Sequence, residues 1–406
     1  MAPESDRQRA LVAAFADVAV AAGYGQVISP IFEDVRVFHR LGEANDVVTK
    51  EMYDFEDKDG RHLALRPELT ASIVRAFVQH RPRPPWKAWY EGPQFRHEKP
   101  QAGRYRQFTQ IGVEVLGPDD PHVDVEVIAL AWRFYESLGL SRIRLLLNTL
   151  GDPDCRPSYL VALETYLNDH RGDLSEQSQA TLATNPLRVL DSKREPDQAV
   201  IAGAPLMVDH LSDDAGAHFS AVTDGLQTLG IPYEISPRLV RGLDYYVKTT
   251  FEFAGDALES AQNALGGGGR YDDLAEQLGG PATPGIGFAL GVDRILLACD
   301  AEGVFPAPPT EPQVFVVDVT GGEQAMALTD QLRQAGLRAD RAWGNRSMKA
   351  QMKVADRSGA AVAVLIGEGE LANGTATVRD LRGDTGQQEV SRTDLVATLQ
   401  QRFAST

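Results

Sequence analysis

The sequence predicts an α+β protein: an antiparallel β-sheet core flanked by helices, a mainly helical insertion, and a C-terminal α/β domain. Three observations support this fold class. Residues 86–95 and 105–116 alternate like two antiparallel strands joined by a basic turn. Residues 152–230 lack long β-branched runs, which favours helices. After a proline-rich linker at 301–312, apolar runs such as VFVVDV and AVAVLIG alternate with helical segments, as in a sheet covered on both faces.

These changes in pattern divide the chain into five predicted segments. Residues 1–151 and 231–300 form the two parts of the sheet core, and residues 152–230 form an inserted helical module. Residues 301–312 are the linker, and residues 313–406 are the last domain.

The elements of the core follow from local patterns in chain order. Leu11, Phe15, Val18 and Ala22 recur at helical spacing before Gly23, which predicts a first helix.

Further along, residues 46–66 contain two strand-like runs around a turn, and a helix is expected after Pro67. Residues 122–138 have a helical pattern, and strand character returns at 237–253. The glycine run at 266–270 is expected to break the chain.

Composition excludes several classes of protein. No apolar run approaches the ~20 residues of a membrane span, and the N-terminus lacks the apolar stretch of a secretion signal. Two cysteines in 406 residues exclude a disulfide framework and predict a cytoplasmic location. The absence of paired histidines and cysteines at ligand spacing argues against structural zinc, and no metal ligands are predicted.

The net charge of −17 means that the whole surface does not attract nucleic acid, so any such contact requires local basic clusters. Two clusters are present. The first comprises Arg81, Arg83, Lys87, Arg96, Lys99, Arg104 and Arg106. The second comprises Arg338, Arg341, Arg346, Lys349, Lys353 and Arg357. A solvated helix face is the simpler explanation of the second cluster taken alone.

The turn between the two predicted strands is a candidate phosphate site. Arg96 ends one strand, and Arg104 and Arg106 begin the next, so three guanidinium forks converge. Glu98 would hold one arginine in place or accept a hydrogen bond from an adenine amine. Clusters of surface arginines are common, so this feature alone does not decide the question.

The strand after the turn carries a candidate ligand-binding face. Gln110 and Glu114 share one face, about 13 Å apart, with Gly112 between them. A small ligand over Gly112 would touch both side chains. An exposed polar face of a sheet is an equally good explanation of this segment alone.

Two further segments carry charged groups beside aromatic or helix-capping residues. In LRPELT, helix capping alone would explain Glu68 and Thr70. In LVRGLDYY, Arg241 shares strand parity with Tyr245, and Tyr246 points oppositely. A tyrosine-rich core strand is the alternative, but a buried arginine there needs an anionic partner.

The glycine-rich segments near residues 266 and 285 do not match a P-loop, because no Gly-Lys-Ser/Thr follows. The glycines of GIGFALGVDR indicate close backbone approach, and Arg294 lies on the helix that follows.

In this order, these segments resemble histidyl-tRNA synthetases, a family of class II aminoacyl-tRNA synthetases. GYGQVISPIFE resembles motif 1, FRHEKPQAGRYRQFTQIGVEV motif 2, and GIGFALGVDRI motif 3. LVRGLDYY and GGGGRYDDL resemble two signatures of the histidine family, and NPLRVLDSK and RSMKAQMKVADRSGA are also typical of it.

The resemblance implies a six-stranded antiparallel core, a C-terminal anticodon-binding domain and a homodimer. It implies that histidine and ATP, with Mg²⁺, form histidyl-adenylate, and that histidine then passes to the terminal adenosine of its tRNA. The catalytic residues it implies are Arg96 and Arg241, one on each side of the α-phosphate.

The binding residues are also implied by the resemblance. Those expected to hold ATP are Arg96, Glu98, Arg104 and Arg294. Those expected to hold histidine are Glu68, Thr70, Arg96, Gln110, Glu114, Arg241, Tyr245, Tyr246 and Tyr271. Those expected to contact tRNA are Gln101, Arg346, Lys349 and Lys353.

The main alternative is the regulatory subunit of ATP phosphoribosyltransferase, a relative that binds histidine without charging tRNA. That family lacks the anticodon-binding domain, whereas residues 313–406 supply one here. Its members usually carry an altered form of LVRGLDYY, whereas the motif is intact in this chain. A generic nucleotide-binding regulator would explain the arginines but not the last domain.

Overall fold

The computed structural model divides into two compact units, Met1–Ala307 and Pro308–Thr406. It describes residues 1–39, 47–99, 101, 103–240, 245–258, 263–344, 346–383 and 386–404.

The first unit contains eleven strands within its described residues. They are β1 (Gly25–Gln26), β2 (Phe32–Asp34), β3 (Tyr53–Glu56), β4 (His62–Leu65), β5 (Trp86–Phe95), β6 (Gln107–Leu116), β7 (Ile143–Thr149), β8 (Glu234–Ile235), β9 (Val247–Gly255), β10 (Ala264–Arg270) and β11 (Gly285–Gly291).

Helices precede, separate and follow these strands. They are α1 (Glu4–Ala21), α2 (Arg36–His39), α3 (Thr70–His80), α4 (Pro121–Ser137), α5 (Arg156–Asp169), α6 (Glu176–Leu182), α7 (Pro186–Val189), α8 (Glu195–Gly203), α9 (Asp213–Thr228), α10 (Leu274–Gln277) and α11 (Val292–Glu302). The expected helices after Pro67 and at 122–138 are therefore confirmed.

The main sheet has the strand order β1-β5-β6-β11-β10-β9-β7-β8. Every pairing from β5 to β7 is antiparallel, which gives the six-stranded core expected from the sequence. The described sheet adds a two-residue strand at each edge, β1 and β8, and both pair in parallel. Strands β2, β3 and β4 form a separate, small antiparallel sheet in the order β2-β4-β3.

One face of the main sheet is covered by helices. Phe15 of α1 meets Phe134 of α4 and Phe288 of β11 edge to face, with ring centroids 5.1 and 6.1 Å apart. Val113 of β6 and Phe251 of β9 join the same core. Because strand residues alternate between faces, the side chains between these positions face the opposite side of the sheet.

The glycine run is a central strand and not a chain break, so that expectation was wrong. It forms most of β10, paired with both β9 and β11. A Cβ at Gly268 would lie 1.9 Å from the carbonyl oxygen of Gly287, and one at Gly266 would lie 2.5 Å from that of Ala289. The glycines therefore permit close approach of neighbouring backbones.

A buried ionic network ties the end of β10 to two helices. The Arg270 Nε lies 3.1 Å from Asp124 Oδ1, and Asp124 Oδ2 lies 2.9 Å from the Nε2 of His218. The side chains of Arg270 and Asp124 are both 0% exposed. The remaining Arg270 nitrogens donate to the carbonyl oxygens of Pro118 and Asp120, each at 3.2 Å. The buried charges therefore have nearly all their hydrogen bonds satisfied.

The helical segment from α5 to α8 has a hydrophobic core of its own, which includes Tyr159, Leu163 and Val189. Helix α9 is different, because its Val222 and Leu226 pack into the core of the main sheet.

The second unit is an α/β sandwich. Its strands are β12 (Val314–Asp318), β13 (Ala339–Arg341), β14 (Val362–Ile366), β15 (Thr375–Asp380) and β16 (Gln387–Ser391). Its helices are α12 (Glu323–Gln334), α13 (Met348–Arg357), α14 (Glu368–Asn373) and α15 (Leu395–Ala404).

The sheet of the second unit has the order β13-β12-β14-β15-β16, parallel through β14 and antiparallel afterwards. All five residues of β12 are buried, as its apolar sequence predicts. The predicted α+β class is confirmed. Among the described residues, no helix is long and apolar enough to cross a membrane.

Candidate active site

A cavity of about 710 Å³ opens on the face of the main sheet opposite the covering helices. The residues that line it and were predicted as site residues are Glu68, Thr70, Arg96, Glu98, Gln101, Arg104, Gln110, Tyr245, Tyr246 and Arg294. The structure thus brings ten predicted residues, which lie up to 226 positions apart in the chain, into one space.

The arginines form one wall of this cavity. Arg96, which lines the cavity, donates from Nε to the carbonyl oxygen of Pro67 at 2.9 Å. Arg294 donates to the carbonyl oxygens of Gly103 at 3.1 Å and Ala264 at 2.7 Å. These backbone contacts fix each guanidinium without neutralising it.

Glu98 lies between two of the arginines, 4.0 Å from a nitrogen of Arg96 and 3.7 Å from one of Arg104. Burial lowers the pKa of the Arg294 guanidinium, and the neighbouring positive charge of Arg104 lowers it further. Three guanidinium groups that line one cavity can bind an anionic ligand, and phosphate oxygens match their geometry.

Glu68 caps the helix that follows it. Its carboxylate accepts hydrogen bonds from the backbone N–H groups of Thr70 at 2.7 Å and Ala71 at 2.8 Å. The capping explanation therefore holds, and the same carboxylate still lines the cavity. Burial raises the pKa of Glu68, although these two donors oppose the shift.

Glu114 is completely buried under the cavity and does not line it. Its carboxylate accepts from the hydroxyl groups of Thr70 at 2.7 Å and Tyr90 at 3.1 Å, and also from that of Tyr271. Burial raises the pKa of Glu114 to about 8, although these hydroxyls lower it. Thr70 is the member of this group that also reaches the cavity.

The space over Gly112 is filled, so a ligand does not sit there as the strand pattern suggested. A Cβ at Gly112 would lie 2.3 Å from the carbonyl oxygen of Phe288 and 2.4 Å from the hydroxyl of Tyr90. Gln110 does line the cavity, and its buried side-chain oxygen has no hydrogen-bond partner among the described residues.

Tyr245 and Tyr246 both line the cavity, so the expectation that they point oppositely was wrong. They precede β9, which begins at Val247, and strand alternation does not apply to them. Their ring centroids are 4.6 Å apart, and Tyr245 meets Tyr271 edge to face at 5.6 Å. Arg241, the other predicted catalytic residue, lies outside the described residues.

Several cavity residues were not predicted from the sequence. Glu252 projects from the middle of β9, and Asp191 and Lys193 reach the cavity from the segment after α7. A single carboxylate within the apolar run TTFEF was the available signal for Glu252. The segment NPLRVLDSK was recognised as typical of the family, but nothing in its pattern indicated which surface it faces.

The cavity suits a divalent cation that arrives with a phosphate ligand. Magnesium binds through one or two carboxylates, substrate phosphates and water. Among the described residues, no three acidic, histidine or cysteine side chains form a metal cluster. Glu252 lines the same cavity as Arg294, so one carboxylate lies near the arginines.

The remaining predicted contacts with nucleic acid lie on the second unit. Arg346, Lys349 and Lys353 are exposed before and along the first turns of α13. Nearby in sequence, Trp343 is 66% exposed, and the guanidinium of Arg341 lies 4.4 Å from its ring centroid. Trp343 was not predicted as a contact residue.

An antiparallel sheet that presents arginines from two motifs to one cavity, followed by a separate α/β unit, is the architecture of a class II aminoacyl-tRNA synthetase. Residues 1–295 match the family model for histidyl-tRNA synthetase, and residues 313–402 match that for an anticodon-binding domain. The chain belongs to the histidyl-tRNA synthetase family.

Similar proteins agree with this assignment. A histidine–tRNA ligase from Rhodococcus erythropolis is 52% identical over 92% of this chain and 89% of the relative. One from Corynebacterium jeikeium is 50% identical over 99% of this chain and 91% of the relative. The crystal structure of apo histidyl-tRNA synthetase from S. aureus has a TM-score of 0.82 at 35% identity and covers 98% of this chain and 97% of that one.

Proposed function

We propose that this protein activates L-histidine with ATP and transfers the histidyl group to the terminal adenosine of its tRNA. A carboxylate oxygen of histidine attacks the α-phosphorus of ATP, and the bond to the bridging oxygen breaks to release pyrophosphate. A ribose hydroxyl of the tRNA then attacks the histidyl carbonyl, and AMP leaves. The observation that carries the proposal is that one cavity is lined by the arginines and by Glu68 and Thr70, and that Thr70 donates a hydrogen bond to Glu114 beneath it.

The protein does not need to supply a nucleophile for this reaction, because both attacking groups belong to substrates. Its role is positioning and stabilisation of negative charge. Arg96 and Arg241 would act on opposite sides of the α-phosphate. Arg104 and Arg294 would hold the outer phosphates, and Glu98 would accept from the adenine amine. The fixed backbone contacts of Arg96 and Arg294 support this assignment.

Mg²⁺ would enter with ATP. When bound, it supplies positive charge that offsets charge on the leaving pyrophosphate. Glu252 is the residue proposed to hold it, because this carboxylate lines the cavity together with Arg104 and Arg294, which would hold the outer phosphates.

The histidine substrate would lie over the buried Glu114 group. Glu68, Thr70 and Gln110 would hold its α-amino group and carboxylate, and the unpartnered side-chain oxygen of Gln110 supports a role in binding. Tyr245 and Tyr246, which line the cavity, would contact the imidazole. Glu114 and Tyr271, which are hydrogen-bonded to each other, would lie beneath it. Both imidazole nitrogens form hydrogen bonds, so a site built on hydroxyls and a carboxylate discriminates against analogues that lack them.

Replacing Glu114 with glutamine is expected to weaken histidine binding about ten- to a hundredfold and to leave ATP binding little changed. The amide cannot accept from three hydroxyls as the carboxylate does, so Thr70 and Tyr271 lose their fixed orientation. The KM values for histidine and ATP in pyrophosphate exchange measure the effect. Glu91→Gln, an exposed change on β5, is the control. An equal loss of ATP binding would remove Glu114 from the histidine site.

The tRNA would be held by both units. Gln101 lines the cavity that the acceptor end must enter. Arg346, Lys349 and Lys353 would contact phosphates on the second unit, so tRNA affinity should fall steeply with salt. The exposed Trp343, with Arg341 against its ring, is a surface on which an unpaired base can stack.

Replacing Trp343 with alanine is expected to raise the KM for tRNA about tenfold, because a stacked base loses its platform. Histidine-dependent pyrophosphate exchange, which needs no tRNA, should not change. Leu371→Ala removes an exposed apolar side chain elsewhere on the same unit and is the control. An unchanged KM for tRNA would exclude Trp343 from the contact.

The direct test of the function is charging of tRNA with labelled histidine. The expected product is acid-precipitable labelled tRNA whose formation requires ATP. A regulatory subunit that senses histidine would bind the amino acid but form no charged tRNA. That result would overturn the proposal in favour of the regulatory alternative.

The protein is proposed to act in the cytoplasm as a homodimer. Support for the dimer comes from the motif 1 segment, where Ile28, Ile31 and Phe32 are 82, 46 and 53% exposed. Three exposed apolar side chains within five residues are typical of a covered interface. Sedimentation equilibrium should give about twice the chain mass of 44.2 kDa, and a monomer mass would contradict the dimer.

The domain boundaries expected from the sequence, after residues 151, 230, 300 and 312, are also proposed for this protein.

A further inference from the structure

Arg66, between β4 and α3, is a buried arginine with an unusual set of partners. It is 3% exposed. Its Nε donates to the carbonyl oxygen of Pro93 at 2.9 Å, and its Nη1 donates to the carbonyl oxygens of Ser29 at 2.9 Å and Pro30 at 3.2 Å. The hydroxyl of Ser29 accepts a further hydrogen bond at 3.0 Å.

These partners are neutral oxygens, and the ion pairs found within the described residues do not include Arg66. A buried charge of this kind is costly unless its hydrogen bonds are satisfied. Here Nε and Nη1 find acceptors in two separate segments of backbone. Arg66 therefore joins the motif 1 segment at Ser29–Pro30 to strand β5 at Pro93.

Strand β5 leaves space for this guanidinium. A Cβ at Gly92 would lie 2.2 Å from Nη2 of Arg66. Any larger residue at position 92 would displace the guanidinium, so the fit between Arg66 and β5 depends on both residues.

The backbone carbonyl groups of Arg66 and Pro67 accept hydrogen bonds from Phe95 and Arg96. The N–H of Phe95 donates to the carbonyl oxygen of Arg66 at 3.0 Å, and Nε of Arg96 donates to that of Pro67 at 2.9 Å. Three hydrogen bonds thus connect residues 66–67 with residues 93–96. The side chain of Arg66 anchors one end of this connection, and the guanidinium of Arg96 is oriented at the other.

We propose that Arg66 is a positioning residue for Arg96: by fixing Pro67 and β5 relative to each other, it aims the Arg96 guanidinium at the phosphate that reacts in the cavity. Arg66 itself does not line the cavity, so it acts through Arg96. The inference rests on the proposed function, because it assigns Arg96 to the reacting phosphate.

The test compares Arg66→Lys with Arg75→Lys in the full-length protein. Lysine has one nitrogen and cannot reach both Pro93 and Ser29. Arg75 is a matched control, because it also anchors this region, through Glu33 at 2.8 Å, but makes no described contact with residues 93–96. Arg66→Lys should lower kcat of histidine-dependent pyrophosphate exchange about 10- to 100-fold with little change in KM. Arg75→Lys should leave kcat near the wild-type value.

A double-mutant cycle separates positioning from general stability. In an Arg96→Ala background, Arg66→Lys should cause no further loss of exchange, because the group that it positions is gone. Multiplied losses would overturn the proposal. If Arg66→Lys does not fold, Gly92→Ala displaces the same guanidinium from the other side and should give the same non-additive result with Arg96→Ala. Wild-type protein that shows no exchange would refute the proposed function instead, so the two failures are distinguishable.

Discussion

Replacing Arg96 with alanine is expected to reduce histidine-dependent ATP–pyrophosphate exchange about 100- to 1,000-fold. The reacting phosphorus gains negative charge on its oxygens in the transition state, and a fixed guanidinium stabilises that charge without reorganisation. The Nε of Arg96 donates a hydrogen bond to the carbonyl oxygen of Pro67, and the guanidinium carbon lies 5.2 Å from the centroid of the Phe108 ring. Both contacts fix the orientation of the guanidinium.

The measurement is the exchange rate at saturating histidine and ATP. Arg106→Ala is a close control, because Arg106 is an exposed arginine in the same basic turn and does not line the cavity. We expect this control to retain most of the activity. Similar losses in both variants would mean that general positive charge in the turn, and not the aim of Arg96, accounts for catalysis.

Replacing Asp124 with asparagine is expected to lower the free energy of unfolding by about 3–5 kcal/mol, because it removes the completely buried carboxylate that pairs with the buried charge of Arg270. Chemical denaturation monitored by circular dichroism measures this change. Asp119→Asn is the control: its carboxylate lies 3.6 Å from Arg270 but is 54% exposed, so a loss below about 1 kcal/mol is expected. Equal losses would contradict the importance of burial.

The effect of Asp124 should depend on pH. Burial alone would raise the pKa of this carboxyl, but hydrogen bonding from His218 and the charge of Arg270 hold it below the ordinary value. A lower pKa in the folded protein stabilises the fold above the unfolded pKa of about 4. That contribution is lost as the pH falls through the folded pKa. The difference in stability between wild type and Asp124→Asn should therefore shrink below about pH 4.

Local patterns in the sequence predicted much of the architecture. The alternation around the basic turn matches β5 and β6, and the apolar runs match β12 and β14. Arg96 and Arg104 of the cavity were also predictable, because guanidinium groups that converge on one turn suit an anionic partner. These features depend on residues that are close together in the chain.

The errors concern contacts between distant segments. The role of the glycines in β10 depends on neighbouring backbones, and the filled space over Gly112 depends on Tyr90 of one strand and Phe288 of another. The surroundings of Glu114 are another contact of this kind, because three hydroxyls from separate elements donate to its carboxylate beneath the cavity. Local alternation identifies the face of a residue but not what covers that face.

The glycines of β10 have a consequence for how this protein can vary. Gly266 and Gly267 line the cavity, and a side chain at Gly268 would collide with the main chain of β11. This part of the cavity floor is therefore formed by main-chain peptide groups, whose shape does not depend on side chains elsewhere in the protein. A saturation mutagenesis scan should find almost no tolerated replacement at positions 266 and 268, and wide tolerance at exposed Tyr105 on the rim. Amino-acid substitutions tolerated by this protein would then lie around the cavity, while the glycines of its floor stay constant.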